Sequence, residues 1–344
     1  MAVSWKRAVR RAGLCVIGLA MLGTAGWGVL ALVTFDHAAA ALRLGLALGF
    51  ALVSLATIVS FFAARWRWRA VALHAALFAL LLWRWEAIEP SNDRDWLPEN
   101  AVLSRATIEG ETVTVHNIRN FDYRSESDFT PAYYDRTFDL RRLEGADLVA
   151  VYWMGPAIAH VFVSFAFSGG DHLAVSIEAR KERGEGYSTL RGFFRQYELI
   201  YVVADERDVI RLRTNYRRDP PEQVHVYRLQ GTAEELRRLF LDYVRQINAL
   251  AERPEFYNSL TTNCTTSLWL HSRVVPDHVP FSWKILVSGF LPEYLHEAGR
   301  LDTRVSFAEL QRQSLVNARA EAADHAADFS ALIRRDDRAA SKDP

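Results

Sequence analysis

Cys264 is the residue in this chain whose type and surroundings best suit covalent chemistry. It follows Thr261-Thr262-Asn263 and precedes Thr265-Thr266-Ser267. Asparagine and threonine side chains accept hydrogen bonds from the free N–H groups that open a helix. The spacing therefore predicts a helix over about 265–274, with Leu268, Trp269 and Leu270 available for burial. A cysteine in the first turn feels the positive end of the helix dipole, which favours thiolate. The N–H groups around Asn263 and Cys264 could also hold an oxyanion. The plainer alternative is a buried structural cysteine.

A thiol nucleophile needs a base to take its proton and a third group to orient that base. His160 lies in a strand-like run, residues 159–167, that turns at Ser168-Gly169-Gly170-Asp171 into a second run, 173–179. Glycines accept the positive φ of a tight hairpin. His160, Phe162, Ser164 and Ala166 share one face of the first arm, and Val161, Val163, Phe165 and Phe167 share the more apolar other face. The hairpin register puts Glu178 about opposite His160, to within one residue. Glu178 is thus the candidate orienting group, with Arg180 as a candidate ion-pair mate. Arg180 and Tyr257 are also candidates for lining a substrate groove. An edge histidine and a paired surface carboxylate are the bland readings of His160 and Glu178.

Other chemistries fit less well. Cys264, His271 and His278 recur every seven residues, whereas zinc sites use tighter ligand spacings, and Pro276 interrupts the helix between the last two. No metal is expected. No phosphate-cradling glycine loop or dinucleotide fingerprint is present, so no cofactor is implied. Asn263-Cys264-Thr265 matches a glycosylation acceptor only formally. Formal charge is zero over 344 residues, which gives no reason to expect a nucleic-acid partner. The two cysteines, Cys15 and Cys264, imply no disulfide framework.

The elements that must position these residues follow an apolar N-terminus. Residues 13–33 and 38–63 are long enough to cross a hydrocarbon core of about 30 Å, and 70–83 is a minimum-length third span. Lys6, Arg7, Arg10 and Arg11 precede the first span, Arg65, Arg67 and Arg69 precede the third, and the first connection holds Asp36 and His37. The positive-inside rule makes the N-terminus cytoplasmic, and three crossings put everything after about Trp85 on the far side of the membrane. If the third stretch does not cross, the domain is cytoplasmic.

A connector, 86–100, leads into a domain over 101–300. Strands are expected around Gly110, a covering loop over 117–139, and further strands over 148–153, 208–214 and 224–229. Residues 191–203 read as a helix turning into a strand, and 232–249 as an amphipathic helix. A helical extension, 301–333, and a disordered tail, 334–344, complete an α+β chain with a mainly antiparallel sheet.

Four motifs in this order are familiar. They are Ile158-Ala159-His160-Val161-Phe162-Val163-Ser164-Phe165, Ser176-Ile177-Glu178-Ala179-Arg180, Tyr197-Glu198-Leu199-Ile200-Tyr201, and Tyr257-Asn258 through Asn263-Cys264-Thr265-Thr266. Over residues 96–299 the chain resembles the DUF4105 family, that of the Lnb-type N-terminal periplasmic domain. That family is similar to circularly permuted papain-like enzymes of the NlpC/P60 type, in which the histidine strand precedes the cysteine helix. The resemblance implies Cys264 as nucleophile and His160 as base. It also implies acyl transfer through a cysteine thioester at a bacterial inner membrane, with a lipid or lipoprotein as acyl donor. A cell-wall peptidase or amidase and a catalytically idle, membrane-tethered binding module remain the alternatives.

Overall fold

A computed structural model of the chain describes residues 2–34 and 39–335, leaving aside the side chains of 2–4. The first connection with Asp36 and His37, and residues 336–344 of the expected tail, lie outside the described residues. The chain divides into two compact units, one of residues up to Pro90 together with Ser188–Gln196, the other of Ser91–Tyr187 and Tyr197 onward.

The first unit holds three helices, α1 (Ala2–Thr34), α2 (Ala40–Phe62) and α3 (Arg67–Glu86). Among the described residues, only α1 and α2 are long and apolar enough to cross a membrane, which corrects the expectation of three such helices. In α3, Arg67, Arg69, Arg84 and Glu86 take up the ends and leave a short uncharged centre. Packing nevertheless lays α3 along α1. Trp27 meets Phe78 at 5.6 Å and Trp85 at 5.2 Å between ring centroids. The His74 ring meets the Thr24 hydroxyl at 2.9 Å through Nε2 and the Thr57 hydroxyl at 3.2 Å through Nδ1, so one side chain ties all three helices together.

The second unit is α+β. Its strands are β1 (Arg105–Glu109), β2 (Thr112–Arg119), β3 (Asp122–Tyr123), β4 (Phe129–Thr130), β5 (Tyr133–Asp139), β6 (Leu143–Tyr152), β7 (Ala159–Phe167), β8 (Asp171–Arg180), β9 (Glu198–Ala204) and β10 (Gln223–Arg228). Eight form one sheet in the order β1-β2-β9-β8-β7-β6-β10, with β5 also on β2, and every pairing is antiparallel except the short contact of β2 with β9. The expected loop over 117–139 therefore contains strands. Gly169 and Gly170, at φ of 94° and 90°, make the β7–β8 hairpin turn.

Strand alternation sorts the core into two layers. Val163, Phe165, Phe167, Leu173, Val175 and Ile177 face α5 (Ala233–Glu252), whose Leu236, Phe240, Tyr243, Val244 and Ile247 recur at helical spacing. Thr232 and Glu235 form a capping box at its start. Phe162, Ala174, Ile200 and Val202 face the other way, toward α4 (Glu206–Arg211) and the later α10 (Asn317–Ala322) and α11 (Phe329–Leu332).

The expected strand over 208–214 is instead α4 followed by a π-type turn, Leu212–Tyr216, because Asp205 caps the helix by accepting from the Arg207 N–H. Likewise 191–203 holds only a single 3-10 turn, Arg191–Phe193, before β9.

Between α5 and the C-terminus lie α6 (Cys264–Ser272), α7 (Trp283–Leu286), α8 (Leu291–Glu297) and α9 (Phe307–Ser314). Residues 306–333 are thus three short helices rather than a continuous one. Arg334, expected in a disordered tail, is held by Asp147 at 2.7 Å and Glu206 at 2.6 Å. Burial of both carboxylates makes that anchoring strong, since an unpaired charge there would be costly.

The turn from β6 into β7 is set by one close approach. Gly289 N–H donates to the Ala157 carbonyl at 3.0 Å, the Ser288 hydroxyl accepts from the Ala159 N–H, and the Tyr152 hydroxyl donates to the Gly289 carbonyl. A Cβ at position 289 would fall within 3.0 Å of Pro156 O and Ala157 C, both backbone atoms. Gly289→Ala should therefore lower the stability of the protein by roughly 1–3 kcal/mol through overpacking, read by chemical denaturation. Unchanged stability would show that the turn yields without cost.

Candidate active site

The hairpin register fixes the first half of the site. β7 and β8 pair from Phe167↔Asp171 up to Val163↔Val175, then part. Continued in the same register, His160 falls opposite Glu178 at the open end, and His160 Nε2 lies 3.6 Å from Glu178 Oε1. Ser176 bridges them. Its Oγ is 2.7 Å from His160 Nε2 and donates to Glu178 Oε1 at 2.8 Å. Arg213, in the turn after α4, donates to the same carboxylate oxygen at 3.3 Å and pairs with Glu222 at 3.5 Å.

This network assigns a tautomer. A serine hydroxyl has one proton, and Ser176 spends it on the Glu178 carboxylate. Its oxygen must then accept from His160, so Nε2 carries the imidazole proton. Nδ1 is left as a bare acceptor, with no hydrogen-bond partner among the described residues. Burial lowers the His160 pKa to about 3, aided by the Arg213 and Arg217 charges and opposed by Glu178. Burial alone would raise the pKa of Glu178. Arg213 above all, then His160, Arg119 and the Ser176 hydroxyl, outweigh it and hold the carboxyl below the usual range. At neutral pH the imidazole is neutral and Glu178 ionised.

The second half comes from α6. Asn263 is its N-cap, with Oδ1 accepting from the N–H groups of Thr265 at 3.0 Å and Thr266 at 2.9 Å, and the Thr266 hydroxyl answers the Asn263 N–H. The helix packs on the Val161 face of the sheet, where Cys264 and Leu268 join the core around Ala159, Val161 and Leu291. Backbone N–H groups of Val161, Thr265 and Cys264 itself hydrogen-bond toward the sulfur and favour thiolate, but burial outweighs them and pushes the thiol up. Cys264 is thus a protonated thiol beside the residue that directly follows His160. Thiol and imidazole reach the end of β7 from opposite faces of the strand, and no hydrogen bond joins them. Both are half-buried, so neither is sealed in the core.

The remaining expected residues separate. Asn263 stands at the helix N-terminus, but its Nδ2 donates to the Ser259 carbonyl at 2.7 Å and its oxygen is spent on the cap. The Thr265 and Thr266 N–H groups are taken up by that cap, which leaves the Cys264 N–H as the first-turn backbone donor beside the sulfur. Arg180 is a correction. It is fully buried, donating to the Asn100 and Ala101 carbonyls and to Asn92, with its guanidinium 4.0 Å from the Trp96 ring centroid. The stretch around 92–101 closes over it, which removes it from any groove, and Arg213 takes its expected role beside Glu178. Tyr257 is buried, with its hydroxyl 3.2 Å from that of Tyr187. Its pKa is driven up by burial first and then by the nearby Cys264.

Ser176 and Arg213 are the functional candidates the sequence reading missed. Strand parity could have found Ser176, two residues before Glu178 on the same face. His271, considered as a metal ligand, instead clasps α6 to its neighbours. Its Nδ1 meets Asp242 at 2.7 Å and its Nε2 meets the Tyr201 hydroxyl at 2.7 Å.

The pKa of His160 carries a stability consequence. The unfolded chain binds a proton at this residue near pH 6.5, the folded one only near 3, so the unfolded state holds more protons between those values. The contribution is complete above pH 6.5 and is lost as pH falls toward 3. Between pH 6 and 5 the stability of His160→Gln should fall less steeply than that of the native protein, by up to about 1.4 kcal/mol per pH unit, with the carboxylates common to both proteins cancelling in the difference. Parallel pH–stability curves would contradict the buried neutral imidazole.

Residues 129–289, just under half of the chain, match a family model described as the Lnb N-terminal periplasmic domain. His160, Ser176, Glu178, Arg213 and Cys264 all fall inside the match. No curated protein and no solved structure matches the chain. Similarity to a periplasmic domain, carried behind apolar N-terminal helices, points to a membrane-anchored periplasmic protein.

Proposed function

We propose that the chain is a thiol acyl-transfer enzyme with a permuted papain-like site, anchored in the inner membrane and working on acyl groups of lipids or lipoproteins from the periplasmic side. The observation that carries this reading is the hydrogen-bond chain from Glu178 through Ser176 to His160 Nε2, from which the tautomer of His160 is inferred. A neutral imidazole with Nε2 tied through Ser176 to Glu178, and Nδ1 unpaired, is the form a general base must take. The strand order, histidine before cysteine, supports the same reading.

The proposed cycle requires Cys264 and His160 Nδ1, which have no hydrogen bond in the resting site, to close on one another when substrate enters; the thiol then gives its proton to Nδ1 as the sulfur attacks an ester or amide carbonyl carbon. The carbonyl π electrons move onto oxygen, which the Cys264 N–H helps to hold. Collapse breaks the bond to the leaving group, which takes the proton from Nδ1 and leaves an acyl thioester on the sulfur. An incoming amine then attacks the thioester, Nδ1 accepts its proton, and the thiol is regenerated by its return. Water in place of the amine gives hydrolysis, the route of the peptidase or amidase alternative.

A binding module with an idle site is favoured by one observation: a raised thiol and a lowered imidazole pKa oppose a resting thiolate–imidazolium pair. The two readings differ in their pH behaviour. With His160 neutral above about pH 3 and the thiol protonated until above its ordinary range, general-base attack runs at constant rate between pH 5 and 8. Acylation of Cys264 by an activated ester, followed by intact mass, should show that plateau. His160→Ala should be slower by about 10²-fold or more and gain tenfold per pH unit, the signature of free thiolate. A native rate that already climbs tenfold per pH unit, or is unaffected by His160→Ala, would leave the binding module as the reading to keep.

A further inference from the structure

Between β8, which bears Ser176 and Glu178, and β9 the chain makes an excursion whose central segment, Ser188–Gln196, clusters with the helices of the first unit. Phe194 is the anchor. It is buried against Trp27, Ala31, Trp85 and Ile88, with ring centroids 6.0 Å from Trp27 and 5.9 Å from Trp85. Arg195 fixes the register by donating to the Trp85 carbonyl at 2.9 Å and to the Glu86 carboxylate at 2.7 Å. These partners all sit toward the C-terminal ends of α1 and α3.

Next to this anchor, two large apolar side chains are left uncovered: Leu190 is 49% exposed and Phe193 41%. Side chains of α3, Leu80 and Trp83 among them, are exposed in the same way. Tryptophans clustered at a helix end mark the membrane–water interface, where an aromatic ring with a polar handle is best placed. A segment pinned among Trp27 and Trp85 shares that depth. Its backbone polar groups are partly met locally, through Gly192 N–H to Ser188 O, Phe193 N–H to Leu190 O and Phe194 N–H to Arg191 O, as partial entry into lipid requires.

We propose that Leu190 and Phe193 dip into the interfacial layer of the bilayer, making Ser188–Gln196 a second membrane contact that is separate in sequence from the helices. The occupant of this surface is lipid, and the inference shares with the proposed function only the membrane location of the helices. It stands whether or not Cys264 is a nucleophile. Nine residues lie between Glu178 and Ser188, and β8 itself ends at Arg180.

The test uses the full chain in phospholipid nanodiscs, in a Cys15→Ser, Cys264→Ser background. Nitroxides are placed at Leu190→Cys, Phe193→Cys and, as an aqueous control, the exposed Ser127→Cys. Collisional relaxation by oxygen, which concentrates in lipid, is compared with that by a water-soluble nickel chelate. The oxygen-to-nickel ratio at 190 and 193 should exceed that at 127 several-fold. Adding Phe194→Asp should bring it down to the control value while the ratio at a nitroxide on α2, at Leu52→Cys, stays high. Ratios at 190 and 193 equal to that at 127 would overturn the proposal, as would lipid-like ratios that persist in Phe194→Asp. Neither result would bear on acylation of Cys264.

Discussion

The arrangement depends on a single hydroxyl proton. Ser176 gives it to Glu178, and that gift obliges the serine oxygen to accept from His160. Were Glu178 protonated, the serine could donate toward the ring instead and the other nitrogen would carry the proton. The guanidinium of Arg213 prevents this by holding Glu178 ionised against the cost of burial. The identity of the free imidazole nitrogen is thus decided two groups away from it, by a charge on a different element.

That element is placed by the sheet. Phe162, on the same face of β7 as His160, packs against the layer containing α4, and Arg213 follows in the π-type turn with its charge 5.9 Å from the Phe162 ring centroid. On the opposite face α6 brings in the sulfur, fixed at its start by the Asn263 cap and near its end by the His271 clasp between Asp242 and Tyr201. Two layers packed on opposite faces of one strand therefore bring the thiol and the imidazole to its end. The cost is that sulfur and imidazole rest without a hydrogen bond between them, and burial keeps both neutral.

Much of this was legible from patterns of period two. The β7–β8 hairpin, the opposition of His160 and Glu178, and the amphipathic α5 follow from alternation and helical spacing in the sequence. The capped helix at Cys264 follows from Thr261-Thr262-Asn263. Arg213 was hidden because 208–214 alternates well enough to pass for a strand, and only the Asp205 cap tips it to helix. Arg180 shares a face with Glu178, so parity could not exclude it from the groove, and the tertiary covering by residues 92–101 did. Arg334 looked like tail because its partners, Asp147 and Glu206, are more than a hundred residues away in sequence. The sequence reading takes the third apolar stretch for a span, which its charged ends make too short, whereas the packing of α3 on Trp27 and the His74 contacts are tertiary facts.

The most direct measurement of the central claim is the tautomer of His160, read from the nitrogen chemical shifts of a protein labelled with 15N at histidine and assigned by loss of the signal in His160→Gln. At pH 7 the account predicts a protonated, pyrrole-type Nε2 and a bare, pyridine-type Nδ1, changing places or becoming mixed when Glu178→Gln removes the acceptor. A proton on Nδ1 in the native protein, or a ring protonated at both nitrogens, would contradict it.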